Sequence, residues 1–242
     1  KPDTVLRAAR YLVDEGLDHL TAAPRVVMPG VLLQAFGVVF TMMFSFFTRP
    51  WKVRDPRSKA HVGIGAFNLV RADTYRRVGT HRAIAMRPDD DLKLGKLVKK
   101  NGGAQDFVVG AEQISVEWYH SVGETVRGLR KNGFAGVDYR LWMVAGATVM
   151  QLLLYVWPWV AVWMTDGWTR MVYAAAIGIM LLMYAGSAAA QGSPAWRGVL
   201  FPVASIMFLF VVWNATLYAL LNRGIEWRGT HYPLDELRAN RV

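Results

Sequence analysis

Cysteine is absent from the 242-residue sequence, which excludes a disulfide-stapled secreted scaffold. No collagen-like or low-complexity period runs through it, and at 53% hydrophobic residues it is too apolar for a disordered polyelectrolyte. Charge is missing from long stretches: of 46 Lys, Arg, Asp and Glu side chains, 36 lie in Lys1 to Arg140 and 10 remain for the last 102 residues. A water-soluble globule cannot hide several uncharged runs of about 20 residues, so the composition predicts a membrane protein with a polar domain. An initiator Met and a secretory signal pattern are also lacking; the chain opens Lys1-Pro2-Asp3, and its true start is expected upstream.

Three uncharged runs, Leu141 to Met164, Met171 to Ala190 and Gly198 to Asn222, reach the roughly 20 residues needed to cross a hydrocarbon layer about 30 Å thick. Their edges carry Trp142, Trp157, Trp159, Trp163, Trp168, Trp196 and Trp213, where the indole suits the headgroup level, although some of these lie well inside a run and mix belt and packing roles. A fourth run, Val26 to Thr48, contains Pro29-Gly30 and leads into Arg49-Pro50-Trp51-Lys52-Val53-Arg54. It reads as an interfacial or re-entrant segment rather than a span. The segment Lys1 to Arg140 carries a net charge of +8, which predicts that it faces the cytoplasm. The tail from Arg223 to Val242, with Arg223, Arg228, Arg238 and Arg241, asks for the same side. Three spans starting inside end outside, so either one run does not cross or Val26 to Thr48 does.

Within the polar part, Pro2-Asp3-Thr4 before Val5, Leu6, Ala9, Leu12 and Val13 predicts an amphipathic helix ending near Gly16. His61 to Val70 reads as a glycine-bearing strand, and Asp73 to Val78 as a short helix closed by Gly79. Leu92, Leu94, Leu97 and Val98 predict a helix over Asp91 to Lys100, stopped by Gly102-Gly103. Phe107 to Val109 and Gln113 to Trp118 are strand-like, and Val122 to Phe134 is a basic helix. Short strands alternating with helices indicate an α/β domain.

The most informative local feature is Arg87-Pro88-Asp89-Asp90-Asp91-Leu92-Lys93-Leu94-Gly95. Three adjacent carboxylates repel one another, so at least one requires a cationic partner or a raised pKa. Their place before an apolar-periodic helix also fits a plain N-cap, where the helix dipole favours negative charge.

The residues His61-Val62-Gly63-Ile64-Gly65-Ala66-Phe67-Asn68-Leu69-Val70-Arg71 and Tyr75-Arg76-Arg77-Val78-Gly79 resemble the glycine-rich segment of processive and lipid-directed family 2 glycosyltransferases. Asp90-Asp91-Leu92-Lys93-Leu94-Gly95, then Leu97-Val98-Lys99-Lys100-Asn101-Gly102, resembles their acidic motif. The tail Glu226-Trp227-Arg228-Gly229-Thr230-His231-Tyr232-Pro233-Leu234 resembles that of ceramide glucosyltransferase-like and hopanoid- or carotenoid-associated members. The resemblance spans nearly the whole chain through the order and spacing of these motifs.

It implies an α/β fold: the C-terminal part of a GT-A nucleotide-diphospho-sugar transferase domain over 1–140, a membrane domain over 141–222 and a basic tail over 223–242. It also implies that one sugar passes from a nucleotide-sugar donor to the hydroxyl of a lipid acceptor with inversion. Asp91 is then the general base with Asp90 beside it; a register one residue earlier names Asp90 and Asp89. Gly63 and Gly65 would admit the backbone close to sugar or acceptor, or mark a strand bulge. Phe67 is a platform under a sugar ring or part of the core. The stretch matching the family's Gln-x-x-Arg-Trp is Glu124-Thr125-Val126-Arg127-Gly128, where Glu and Gly replace Gln and Trp; this fits single-sugar transfer better than polymerisation. Arg127, Arg130 and Lys131 are candidates for holding the departing diphosphate or anionic lipid. Trp118, Tyr119 and His120 are candidates for an acceptor-site wall.

The family's Asp-x-Asp motif, which holds a divalent Mg or Mn ion on the donor diphosphate, has no counterpart here: Asp14-Glu15-Gly16-Leu17-Asp18 has the wrong spacing. The chain is therefore expected to be the acceptor-side part of a larger enzyme, in a bacterial inner membrane with its catalytic part cytoplasmic. Nucleic acid is not an expected partner, because juxtamembrane placement accounts for the net charge of +10. The rival expectation is a non-catalytic scaffold or transporter component whose basic region binds anionic lipid.

Overall fold

The computed structural model describes residues 1–227 and 229–240; Arg228, Arg241 and Val242, which belong to the tail discussed above, lie outside the described residues. The fold is mixed α/β and divides into two compact units. One comprises Lys1–Val26, Phe44–Glu117 and the C-terminal segment from Asp235; the other comprises Val27–Met43 and Trp118–Leu234. The region Trp118 to Arg140, polar by composition, thus packs with the apolar helices.

The first unit is organised by β1 (His19–Ala23), a strand buried on both faces, as a central strand requires. It pairs parallel with β4 (Gln105–Val109) and antiparallel with β3 (Asn68–Val70), giving the order β3-β1-β4, while β2 (Arg25–Val27) and β5 (Ser115–Glu117) form a separate two-stranded sheet. The helix α1 (Thr4–Asp14) precedes β1 and buries Leu12 against Leu17 and Leu20, while Val5, Leu6 and Val13 point outward. Between β3 and β4 lie α3 (Ala72–Arg77) and α4 (Asp90–Lys100). Leu94 and Leu97 of α4 pack with Val78 and Ile84. Gly102 adopts φ +76°, which ends α4 at the expected place because glycine carries no Cβ to oppose that conformation.

The strand expected over His61 to Val70 is realised only at Asn68–Val70. The Val62 N–H donates to Gln105 Oε1 (3.1 Å) and the Ile64 N–H to Thr21 Oγ1 (3.1 Å). Side chains thus satisfy backbone groups that a ladder would otherwise take.

Among the described residues four helices are long and apolar enough to cross a membrane: Val31–Lys52, Leu141–Met164, Gly167–Ala190 and Ala195–Leu221. The first contains α2 (Val31–Thr48), which starts later than Val26 because Pro29 and the left-handed Gly30 (φ +73°) precede it. The second consists of α6 (Leu141–Gln151) and α7 (Trp157–Met164), joined through a π turn at Leu152–Val156. The third, α8 (Gly167–Ala190), begins before Met171 and takes Arg170 into its first turn, where Asp166 pairs with it at 2.7 Å. The fourth, α9 (Phe201–Leu221), follows a 3-10 turn at Ala195–Leu200.

The second unit has its core where Ala35, Val38, Val39 and Met42 of α2 meet Met180, Tyr184 and Ala188 of α8 and Phe201 and Ala204 of α9. The helix α5 (Val122–Gly133) lies along α9. Gly133 sits against Ala215 with no room for a Cβ, and Arg130 Nε donates to Asn214 Oδ1 at 2.8 Å. After α9, β6 (Gly224–Trp227) and β7 (Thr230–Pro233) form a hairpin leading into α10 (Leu234–Ala239).

Candidate functional site

The acidic triplet occupies the N-terminal end of α4, with Asp89 at the N-cap and Asp90 and Asp91 in the first turn. The three carboxylates have separate surroundings. Asp91 Oδ2 accepts the Gly65 N–H at 2.7 Å, its Oδ1 accepts the Leu92 N–H at 2.7 Å, and Asp90 Oδ1 accepts the Asp91 N–H at 3.0 Å. Burial pushes the Asp91 carboxyl above its ordinary pKa; the Leu92 and Gly65 N–H groups oppose this, and the neighbouring Asp90 and Asp89 reinforce it. A carboxylate so placed is a stronger base than an exposed one, and it is held in a fixed position by a backbone donor.

Asp89 is engaged differently. Its carboxylate accepts from Arg87 Nε (2.9 Å) and Nη2 (3.1 Å) and lies 3.6 Å from Lys93 Nζ, with all three side chains buried. A buried carboxylate shared by two cations thus anchors the start of α4. The positive charge beside it also answers the repulsion within the triplet.

The glycines set how closely the 61–65 segment approaches α4. A Cβ on Gly63 would fall on the Asp91 carbonyl, and a Cβ on Gly95 would fall on the Val62 carbonyl. Backbone therefore packs on backbone at two points, which brings the Gly65 N–H to the Asp91 carboxylate. Gly63 is buried in this contact with α4, whereas Gly65 is exposed. Phe67 is half-buried, and its carbonyl accepts from Thr21 Oγ1 at 2.8 Å.

Gln105, a residue the sequence reading did not single out, ties these parts together. Its Oε1 accepts from Val62, and its Nε2 donates to the Gly95 carbonyl (3.2 Å) and to His19 Nδ1 (2.5 Å). His19 Nε2 in turn meets Asn68 Oδ1 at 3.0 Å, which assigns the proton to Nε2. Burial lowers the His19 pKa to about 4, with the Asn68 hydrogen bond opposing, so the ring is neutral at neutral pH. The available signal was weak: a His and a Gln at strand positions where apolar residues are the rule.

The remaining candidates belong to the second unit. Trp118 and Tyr119 are half-buried with ring centroids 4.9 Å apart, and Trp118 is edge-on to Phe40 at 4.8 Å. The Tyr119 ring occupies the space where a side chain at Gly128 would lie. Ser121 caps α5 by accepting the Glu124 N–H at 3.1 Å, while Glu124 Oε2 accepts the His120 N–H at 2.9 Å. Glu124 thus serves the helix start. The Arg130 guanidinium lies 4.8 Å from the Tyr218 ring centroid and Lys131 Nζ 4.8 Å from that of Trp227. Arg127 and the His120 ring are exposed.

Asp91, Asp90, Gly63 and Gly65 thus come together in one unit, and Trp118, Tyr119, His120, Arg127, Arg130 and Lys131 lie in the other. Glu15 pairs with Arg54, and Asp18 accepts from Thr74 and from the Ala104 N–H. Among the described residues no group of three or more His, Cys, Asp or Glu side chains is placed to hold a metal ion. No step below is routed through a metal ion. No family model, curated protein or solved structure matches the chain.

Proposed function

We propose that this chain is the acceptor-side part of a membrane-bound, inverting glycosyltransferase of family 2 type. In this reading it transfers one sugar from a nucleotide-sugar to a lipid hydroxyl at the cytoplasmic face of a bacterial inner membrane. The observation that carries the reading is the Asp91 carboxylate, buried enough to be a stronger base and held by the Gly65 N–H at 2.7 Å. In the reaction the Asp91 carboxylate takes the proton of the acceptor hydroxyl. The hydroxyl oxygen forms the new bond to the anomeric carbon as the bond to the nucleoside diphosphate breaks, and the electron pair leaves with the diphosphate. A single displacement of this kind inverts the anomeric centre. The base has to come within about 2.6–3.2 Å of the hydroxyl in the reactive complex.

The test is lipid glycosylation by membranes carrying the complete gene product, as wild type and as Asp91→Asn and Asp90→Asn. Asp91→Asn is expected to lower the rate by about 10²-fold or more, in the range usual for general-base removal, and Asp90→Asn less. An undiminished rate in Asp91→Asn refutes the base assignment. The second reading, a non-catalytic scaffold, is favoured by one observation: Arg130 and Lys131 are held by Asn214, Tyr218 and Trp227 within the second unit. It predicts no requirement for either carboxylate.

A further inference from the structure

We infer that Arg197 and the residues around it form a binding site for the phosphate of an anionic phospholipid, whose acyl chains lie on the apolar surface beside it. The site falls wholly within the second unit. It rests on the membrane part of the proposed function and not on sugar transfer.

The first observation is a charge without a counter-charge. Arg197 is the only charged residue from Met171 to Asn222, and it stands in the connection from α8 to α9. Its Nη1 donates to Gln34 Oε1 in the first turn of α2 and to Ser193 Oγ at 3.1 Å, and its guanidinium lies 5.7 Å from the Trp196 ring centroid. All three partners are neutral, and among the described residues no carboxylate pairs with Arg197. The end of α8 does not take up the charge either. Ala188 accepts from the N–H groups of Gln191 and Ser193, and Ala189 from that of Gly192, so the helix closes on itself.

The second observation is that the guanidinium is used on one side only. Both of its hydrogen bonds come from Nη1, while Nε is buried with no partner. Among the described residues the Nε–Nη2 edge therefore has no acceptor. That edge presents two N–H groups in the fork that matches two oxygens of a phosphate. Another donor is close by. The Tyr184 side chain is wholly buried and its hydroxyl has no partner. Its ring packs against the residue next to Arg197, so that a Cβ on Gly198 would lie 3.0 Å from it, and the hydroxyl is within electrostatic reach of Arg197. Buried donors left unpaired are destabilising, and an acidic oxygen would satisfy them. The helix α9, beginning just beyond, adds the positive end of its dipole.

The surroundings select a lipid over a free anion. The site lies where α2 begins, α8 ends and α9 begins, at the ends of three helices of bilayer length, and headgroups gather at such ends. Trp196, beside the guanidinium, is 59% exposed, as suits an indole at that level. Val31, Val199 and Val203 are exposed as well and offer acyl chains a surface that inorganic phosphate would not use. One unpaired positive charge matches the single negative charge of a phosphodiester in phosphatidylglycerol, whereas phosphatidylethanolamine brings an ammonium of its own.

The test is lipid binding by the purified 242-residue chain in detergent, read by native mass spectrometry and by the shift in thermal unfolding. Dioleoylphosphatidylglycerol, dioleoylphosphatidylethanolamine and inorganic phosphate are the separate probes. The wild type is expected to retain phosphatidylglycerol about tenfold or more tightly than phosphatidylethanolamine, and inorganic phosphate is expected to give no shift. Arg197→Gln is expected to abolish the preference. Arg197→Lys keeps the charge and the long stem, which guards against misfolding, yet lacks the fork, and is expected to bind phosphatidylglycerol about threefold or more weakly than the wild type. Equal retention of the two lipids by the wild type, a preference surviving in Arg197→Gln or an unchanged affinity in Arg197→Lys overturns the inference. Stabilisation by inorganic phosphate equal to that by phosphatidylglycerol makes the occupant a free anion and overturns it too. Release of the chain from membranes by alkaline carbonate would instead remove the membrane reading on which it rests, and the Asp91→Asn rate changes none of these results.

Discussion

Replacing Gly95 by Ala is expected to destabilise the unit that carries the sheet, against the rule for helix interiors. On an exposed helix Ala is favoured over Gly by roughly 0.8–1.0 kcal/mol. At Gly95 the added Cβ would overlap the Val62 carbonyl and lie 3.2 Å from Gln105 Nε2. Neither is the loose end of a flexible side chain: one is backbone, and the other donates to the Gly95 carbonyl and to His19. Forcing extra volume into such a contact costs about 1–3 kcal/mol, and displacing Val62 also weakens its 3.1 Å bond to Gln105, worth about 1 kcal/mol. Against the propensity gain, the net expectation is a loss of about 1–3 kcal/mol. Gly178→Ala in α8, where nothing lies within 4 Å of the new Cβ, is expected to be neutral or stabilising by up to about 1 kcal/mol. Thermal unfolding of both variants in the same detergent, with limited proteolysis of the sheet-bearing unit, reads the difference. A Gly95→Ala protein as stable as Gly178→Ala would refute the backbone-on-backbone contact between 61–65 and α4.

Other consequences are equally specific. Asp89→Ala removes the carboxylate shared by buried Arg87 and Lys93 and is expected to cost about 3–5 kcal/mol, read as a lower unfolding temperature; a change below 1 kcal/mol would count against the anchor role. His19 has a folded pKa of about 4 against an ordinary 6.5, so the unfolded chain binds more protons between those values. Stability is expected to fall by up to about 3 kcal/mol as pH drops through that window; His19→Gln should flatten the slope, and an unchanged slope would assign it elsewhere. Gly128→Ala places a Cβ within the Tyr119 ring and should destabilise, while adding Tyr119→Ala should recover part of the loss, a coupling of about 1 kcal/mol or more; strictly additive effects would show that the two do not compete for space.

Much of the local structure was legible because it depends on neighbours within a few residues. The spacing of Leu92, Leu94, Leu97 and Val98 with Gly102 beyond them places α4 to within one residue. The uncharged runs Leu141 to Met164 and Met171 to Ala190 likewise lie within apolar helices, whereas Val26 to Thr48 begins before its helix and Gly198 to Asn222 overruns its helix by one residue. The glycine-rich segment misled because its backbone is satisfied by Gln105, 43 residues away, rather than by a strand alongside. Asp89, Asp90 and Asp91 are chemically identical in sequence, and no local rule separates an anchor buried between Arg87 and Lys93 from a carboxylate that accepts the Gly65 N–H. That distinction comes from residues brought together over long separations: Gly65 is 26 positions from Asp91.

The same division applies to the membrane. Composition alone determined that apolar helices of bilayer length exist and that charge concentrates before Arg140, because transfer of a residue to hydrocarbon depends mainly on the residue itself. Tertiary structure decided how those helices can be used. The pairing of β1 with strands that follow α2 brings the chain before and after that helix into one sheet, a condition imposed by hydrogen bonds between distant segments and invisible to any window of the sequence.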